Sequence, residues 1–462
     1  MSRPNVVFLL TDQWRLQALG YASNSQVHTP NIDRLAGESI NFKHAISGYS
    51  VCCPWRASFL TGQYPLTHGV IVNDVPISSD PTGLGDAFKN EGYNTAYIGK
   101  WHVDGRGRKA YIPPERRLGF DYFKALECTH EYNQSAYYDN DDPTMRFWDG
   151  YDVFAQTADA QQYICRVDTG SPESRSAEKP FMLVLSWGPP HNPYETAPQE
   201  YRDMYDPRDI ELRPNVPPEM ADDAREWLAG YYAHCSAIDK SVGDIMATLD
   251  EHGLSENTVL VFASDHGDML GSQGWTRKQK PWEESIRVPF LLRYPAKYGR
   301  EARDVEPFLN AHDIMPTLLG VCDLPIPQSV EGRDFSAALE GETIASPGAL
   351  LACFHPFGEW SRPVGGHEYR GIRTARYTYC RTLWRVDTAT SDGPWLLYDN
   401  EVDPYQLENL VDDPAYCDIQ AQLDTLLQRE LDAIGDDFLD GMAYINRWGY
   451  PLDDTGTVPF RK

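Results

Sequence analysis

Acids, imidazoles and an ammonium follow four apolar runs of this chain. Asp12-Gln13 follows Asn5–Leu10, and Lys100 and His102 follow Asn94–Ile98. His191 follows Phe181–Trp187 in Gly188-Pro189-Pro190-His191. Asp265-His266 follows Val259–Ala263 in Ser264-Asp265-His266-Gly267-Asp268. Asp12, Gln13, Asp265 and His266 can form one metal site: their oxygens suit calcium or magnesium, and an imidazole also admits manganese or zinc. Taken singly, Asp12 reads equally well as a helix cap and Asp265 as the start of a turn. A fifth stretch, Cys52-Cys53-Pro54-Trp55-Arg56, places a thiol where Pro54 suits the first turn of a helix. A helix N-terminus and a nearby Arg56 lower a thiol pKa, which describes a nucleophile. Two packed cysteines ahead of an ordinary helix are the plainer reading.

The elements that would carry these residues are near-continuous apolar strands, with a fifth at Val288–Arg293. Such runs belong to strands buried on both faces of a mostly parallel sheet. Trp227, Tyr231, Ile238, Val242, Ile245 and Leu249 share one face of a long helix, ended near Gly253. The predicted fold class is therefore α/β: a large, mostly parallel central sheet sandwiched by helices. In open α/β sheets ligands bind beyond the carboxyl ends of the strands, where the four reactive stretches fall. Residues 103–152 lack periodicity and read as an insertion at the rim of the site. The expected domains are 1–365, catalytic, and 366–462, a small C-terminal α+β subdomain. That subdomain would have an antiparallel pair over Tyr369–Leu383, a strand at Trp395–Tyr398 and a helix over Ala415–Ile434.

Composition narrows the function. The chain has 462 residues, 41% hydrophobic and 24% charged, with a net charge of -27. That balance is globular and argues against nucleic acid as partner, because phosphate recognition is built on Lys and Arg. It leaves room for a basic pocket taking a small anion. Nine cysteines without regular spacing do not make a disulfide framework. No apolar run reaches the roughly 18 residues a membrane span needs, so no membrane partner is expected. A native N-terminus of this kind predicts a cytoplasmic protein, and removal of a leader would make it secreted or periplasmic.

Cys52-x-Pro54-x-Arg56, continued as Ala57-Ser58-Phe59-Leu60-Thr61-Gly62, resembles the signature of the formylglycine-dependent (type I) sulfatases, of the alkaline phosphatase-like superfamily. Gly99-Lys100-Trp101-His102, Pro189-Pro190-His191, Ser264-Asp265-His266-Gly267 and Lys278 ahead of Trp282-Glu283-Glu284-Ser285 resemble further elements of that family, in order. The segment Tyr398–Leu410 is similar to its C-terminal part. Two positions depart from the commonest pattern: Gln13 stands where many members have aspartate, and Trp55 where a small residue is usual. The resemblance implies an alkaline phosphatase-like fold and a sulfuric ester hydrolase. Cys52 would be oxidised to Cα-formylglycine by a formylglycine-generating enzyme and hydrated to a gem-diol. Asp12, Gln13, Cys52, Asp265 and His266 would hold one divalent metal, calcium first, with Mg2+ or Mn2+ as alternatives. Arg56, Lys100 and Lys278 would balance the sulfate charge. His191, with Lys278, would protonate the leaving alcohol, and His102 would take the proton whose loss expels sulfate.

The implied substrate is a small sulfated molecule, a sulfated carbohydrate in the first instance, with aryl sulfates as test substrates. A phosphonate monoester hydrolase or phosphodiesterase of the same superfamily is the alternative. Arg15, His130 and His355 are the expected substrate contacts. Arg106, Arg108, Tyr132 and His367 are further rim positions. Tyr132, Tyr137, Tyr138 and Trp148 suit either stacking on a sugar or packing of the insertion. The sequence leaves oligomeric state open.

Overall fold

Strand β1, Asn5–Asp12, carries an apolar side chain at every position from Val6 to Leu10. In a computed structural model, which describes residues 3–77, 81–165, 179–356, 368–386, 389–453 and 458–459, those side chains are fully buried. Val6, Phe8 and Leu10 enter one hydrophobic core, and Val7 and Leu9 enter another. Successive strand side chains point to opposite faces, so a strand covered on both sides needs an unbroken apolar run.

The sheet built around β1 has ten strands. These are β2 (Ile40–Ala45), β3 (Asn94–Lys100), β4 (Tyr122–Leu126), β5 (Ala136–Asp139), β6 (Asp142–Phe147), β7 (Phe181–Pro190), β8 (Thr258–Ser264), β9 (Phe290–Arg293) and β10 (Arg303–Leu309), with β1. Their order is β10-β2-β9-β8-β1-β7-β3-β4-β5-β6. The five central strands from β8 to β4 are all parallel, with Val6 opposite both Val259 and Met182. β9 runs antiparallel between β8 and β2. The long helix spans Ala221–Glu251, and Gly253, with φ +64°, follows it in the left-handed region. Among the described residues no helix is long and apolar enough to cross a membrane.

The stretch 103–152 is more regular than its sequence suggests. Its strand β4 joins the central sheet beside β3, and β5 and β6 extend the edge as an antiparallel hairpin. Lys124 interrupts the apolar pattern of β4, and its ammonium is matched by Asp159 at 2.7 Å.

A second sheet is antiparallel throughout: β11 (Ala349–Cys353), β12 (Tyr369–Arg373), β13 (Tyr377–Val386) and β14 (Ala389–Asp399). The division expected at residue 365 falls inside this sheet, because β11 precedes it. The helix Cys417–Ile434 covers one face through Leu423, Leu427 and Leu431, against Ile372, Tyr379 and Leu397. The following helix, Gly441–Trp448, returns Tyr444 and Ile445 to the core of the large sheet.

A buried ion pair joins the two sheets. Arg373, at the end of β12, donates from Nε and Nη2 to the two carboxylate oxygens of Glu283 at 2.7 and 3.2 Å. Burial alone would raise Glu283, but Arg373 and Arg287 bring its pKa down from 4.5 to about 2. A carboxylate depressed in the folded state stabilises fully above its unfolded pKa and loses that contribution as pH falls toward the folded one. Glu283→Gln strands the Arg373 charge, and the expected cost is about 3 kcal/mol at neutral pH. Denaturant unfolding of both proteins should show that difference at pH 7, shrinking as pH falls from 4.5 toward 2.

Candidate active site

The carboxyl ends of β1, β7, β8 and β3 lie side by side, so the residues that follow them meet at one edge of the sheet. Asp12 closes β1, Lys100 closes β3, His191 follows β7, and Asp265 and His266 follow β8. Gly99 holds φ +106° with its backbone against the Ser186 carbonyl, where any Cβ would collide. The helix Cys52–Thr61 begins at the same place with Cys52, after an extended Val51. Every residue of that helix is buried, and Trp55 stacks on Phe59 at 5.4 Å.

One ligand atom each from Asp12, Cys52, Asp265 and His266 lies within 4.8 Å of all the others. His266 Nδ1 is 3.0 Å from the Gly267 carbonyl, which assigns its proton to Nδ1. Nε2 then turns a lone pair toward Cys52 Sγ at 3.3 Å and the Asp265 and Asp12 carboxylates at 3.5 and 3.6 Å. Gln13, in left-handed backbone at φ +71°, donates its N–H to Asp265 Oδ1 at 3.0 Å. Its Nε2 donates to Asp268 Oδ2 at 2.7 Å, which leaves Oε1 buried with no hydrogen-bond partner. An orphaned amide oxygen beside two carboxylates and a lone-pair imidazole fits a hard divalent cation.

Arg56 approaches from behind. Its guanidinium reaches Asp12 Oδ2 at 3.2 Å and Asp265 Oδ2 at 3.1 Å, and donates to Ser186 Oγ and the Lys100 carbonyl. It is fully buried and lies outside the lining of the cavity in front. Burial alone would raise Asp12, yet Lys100, Lys278 and Arg56 hold its carboxyl well below the usual carboxylate range.

A cavity of about 230 Å³ opens over Cys52. Lys100, His102, His130, His191 and Lys278 all line it. Lys100 Nζ sits 2.6 Å from Asp12 Oδ2 and 3.6 Å from Cys52 Sγ. Lys278 Nζ sits 3.0 Å from the same sulfur and 2.8 Å from His191 Nε2. Burial and Asp12 push the Cys52 thiol up, but Lys100 and Lys278 bring it well below its ordinary value. His191 Nδ1 is 2.8 Å from the Asn192 carbonyl, so its Nε2 accepts from Lys278. Burial, Lys278 and His130 hold this imidazole well below its usual pKa, and it is neutral. The ring of His130 stacks on it at 4.6 Å.

The other expected contacts divide. His130 lines the cavity, whereas Arg15 does not: it is buried beneath the site, its guanidinium facing the Asp268 and Met269 carbonyls at 3.4 Å. His355 stands outside the lining, its carbonyl accepting from Gln279 at 3.0 Å. His367 lies outside the described residues. Arg106 pairs with Asp104, and Tyr137 stacks on Trp148 at 3.9 Å, so the aromatics pack the insertion and none lines the cavity. Asp268, Asp74 and Cys128 carried no sequence signal of their own. Asp268 holds the Gln13 amide, Cys128 lines the cavity, and Asp74 lies behind His102.

Residues 4–324 match the family model described as Sulfatase, and residues 271–433 match one described as N-sulphoglucosamine sulphohydrolase, C-terminal. The chain is 44% identical over 455 residues to an ulvan-active sulfatase of Formosa agariphila, covering 97% of this chain and 85% of that protein. A solved structure from work on glycosaminoglycan metabolism by Bacteroides thetaiotaomicron superposes with a TM-score of 0.84 at 32% identity, over 95% of this chain and 98% of the other. The phosphonate monoester hydrolase of Agrobacterium radiobacter shares the fold, with a TM-score of 0.71 at 22% identity and full coverage of both chains.

Asp268 takes the Gln13 Nε2–H and so leaves Oε1 as the unpartnered end of that amide. Asp268→Ala frees that amide to rotate, and loss of such an outer partner lowers metal affinity by about 10–100-fold. Calorimetric titration with calcium should show that loss while circular dichroism is unchanged.

Proposed function

The chain belongs to the sulfatase family and is a sulfuric ester hydrolase, and from that premise we propose that it cleaves sulfate esters of an anionic carbohydrate at the cavity over Cys52. The observation that carries this reading is the setting of Cys52 Sγ. Two lysine ammoniums stand at 3.0 and 3.6 Å, an array of hard metal-ligand atoms adjoins it, and the cavity opens above. Asp12, Gln13, Asp265 and His266 would hold the divalent cation, with calcium favoured by the oxygen-rich donors over Mg2+ or Mn2+. With that cation bound and Cys52 matured to formylglycine by a formylglycine-generating enzyme, the pair supplies an oxygen nucleophile of lowered pKa at the cavity floor.

The remaining roles fall to groups the chain itself provides. Lys100 and Lys278 flank the nucleophile position and would bind the sulfate oxygens, where charge shifts during transfer. Arg56 would hold both carboxylates in place and oppose the rise that burial imposes on each, without touching substrate. Because His191 is neutral and accepts from Lys278, the proton for the leaving alcohol would come from the Lys278 ammonium, with His191 fixing its direction. His102 would take up the proton released as sulfate departs. Arg108, Arg277 and Lys280 also line the cavity, and no aspartate or glutamate does among its described lining residues. A cationic wall of this kind in a strongly acidic protein suits a sugar bearing further negative charge.

Peptide mass spectrometry across Cys52, followed by a sulfated-sugar screen with a phosphonate monoester assayed in parallel, tests the reading. An aldehyde at Cys52 and higher kcat/KM for sulfate support it; a preference for phosphonate overturns it. The assignment to Lys278 makes a sharper prediction. Lys278→Ala should lower kcat/KM on a sugar sulfate by about 10²–10³-fold. On an aryl sulfate, whose leaving group needs little protonation, the loss should be at least tenfold smaller, roughly the span of one acid-catalytic contribution.

A further inference from the structure

The loop that carries Asp74 lies against His102 from outside every stretch that the sequence motifs pick out. Asp74 Oδ1 is 3.3 Å from His102 Nε2. Arg108 clasps the same carboxylate, with Nε 2.9 Å from Oδ1 and Nη2 2.8 Å from Oδ2. The Asp74 N–H donates to Cys53 Sγ at 3.3 Å, and Asn73 Oδ1 accepts from the Cys53 N–H at 3.0 Å. The turn is thus tied at both residues to the neighbour of Cys52. Asp74 and His102 both hold left-handed backbone, at φ +63° and +60°, which for residues with a Cβ persists only where surrounding contacts impose it. His102 Nδ1 is buried and has no hydrogen-bond partner in the folded chain.

We propose that Asp74 is the positioning residue for His102: it fixes the ring proton on Nε2 and reserves Nδ1 for proton transfer during sulfate release. A carboxylate facing one ring nitrogen selects the tautomer that donates to it. Arg108 keeps that carboxylate ionised and fixed by a two-point contact. The proposal rests on the reading of His102 given above. In the step it serves, an O–H bond breaks and its proton passes to Nδ1. The electron pair left on that oxygen forms a carbonyl, and sulfate leaves with the pair of the C–O bond that held it. Cys128, Cys53, Lys100 and Glu127 are the other ionisable groups that bear on this ring, and against burial Cys128, Cys53 and Asp74 raise its pKa.

The test is Asp74→Asn, which keeps the shape and removes the charge. In the unmodified protein, nitrogen NMR of histidine-labelled samples, with His102→Gln for assignment, reads the tautomer without any turnover. His102 should hold its proton on Nε2 in the wild type, whenever the ring is neutral, and a mixture of tautomers should appear in the variant. In the matured enzyme, kcat should fall about 10–100-fold with KM unraised. Alcohol release should show a pre-steady-state burst that the wild type lacks, because only sulfate release is slowed. Asp74→Glu, which restores the charge, should recover part of kcat. An unchanged His102 tautomer in Asp74→Asn overturns the proposal outright. So does a loss confined to KM, or a fall in kcat without a burst. If the wild type itself releases no sulfate, the reading of the site fails, and the tautomer measurement still decides whether Asp74 sets the ring.

Discussion

Two carboxylates, Asp12 and Asp265, are buried side by side at the end of the central sheet, and the rest of the site is arranged around the cost of keeping both. Isolated buried anions are prohibitively expensive, and a pair repels itself. Arg56 answers with one planar guanidinium that touches both, itself held by Ser186 and the Lys100 carbonyl. Lys100 adds a second cation on the Asp12 side. The helix that delivers Arg56 also delivers Cys52, one turn earlier, so the thiol's place is set by the need to neutralise the acids. Any divalent cation bound here would join an electrostatic balance that the protein already holds partly made.

That arrangement depends on strands that end in register. β1 is central because it is apolar on both faces, and its neighbours β7 and β8 are matched to it residue by residue. Lys278 comes from a different device, a loop with Arg277 and Gln279 in left-handed backbone on either side of it. The loop is pinned where the Gln279 N–H donates to the Ser50 carbonyl, just ahead of Cys52, and where its amide reaches His355. The second sheet therefore supports the cavity wall, because His355 lies two residues past the end of its first strand. Glu283 and Arg373 lock the same two bodies together a few residues farther on.

Much of this was legible in the sequence for physical reasons. Strands buried on both faces leave unbroken apolar runs, and reactive residues just after such runs must converge when the strands are parallel. Asp12, Lys100, His191 and Asp265 were readable in that way. β4 was not, because Lys124 breaks its apolar run and the compensating Asp159 is remote in sequence. Nor was β11 legible as part of the second sheet, since its partner β12 lies beyond a long connection. Asp74 and Asp268 were invisible for a related reason: each acts through another side chain, and such contacts follow no fixed spacing. Arg15 and His355 show the converse, promising positions whose side chains are turned elsewhere.

The helix Cys52–Thr61 has one more consequence, and it concerns time. Cys52 is 1% exposed, Arg56 is fully enclosed, and Trp55 is locked against Phe59 in the larger core. Any protein that has to recognise or alter this stretch can meet it only while the chain is still open. The proposed maturation of Cys52 would therefore compete with folding for the same segment, and a molecule that folded first would be sealed in its unaltered form. Under that proposal the yield of working protein would be a ratio of two rates, set before the fold closes and recoverable afterwards only by unfolding.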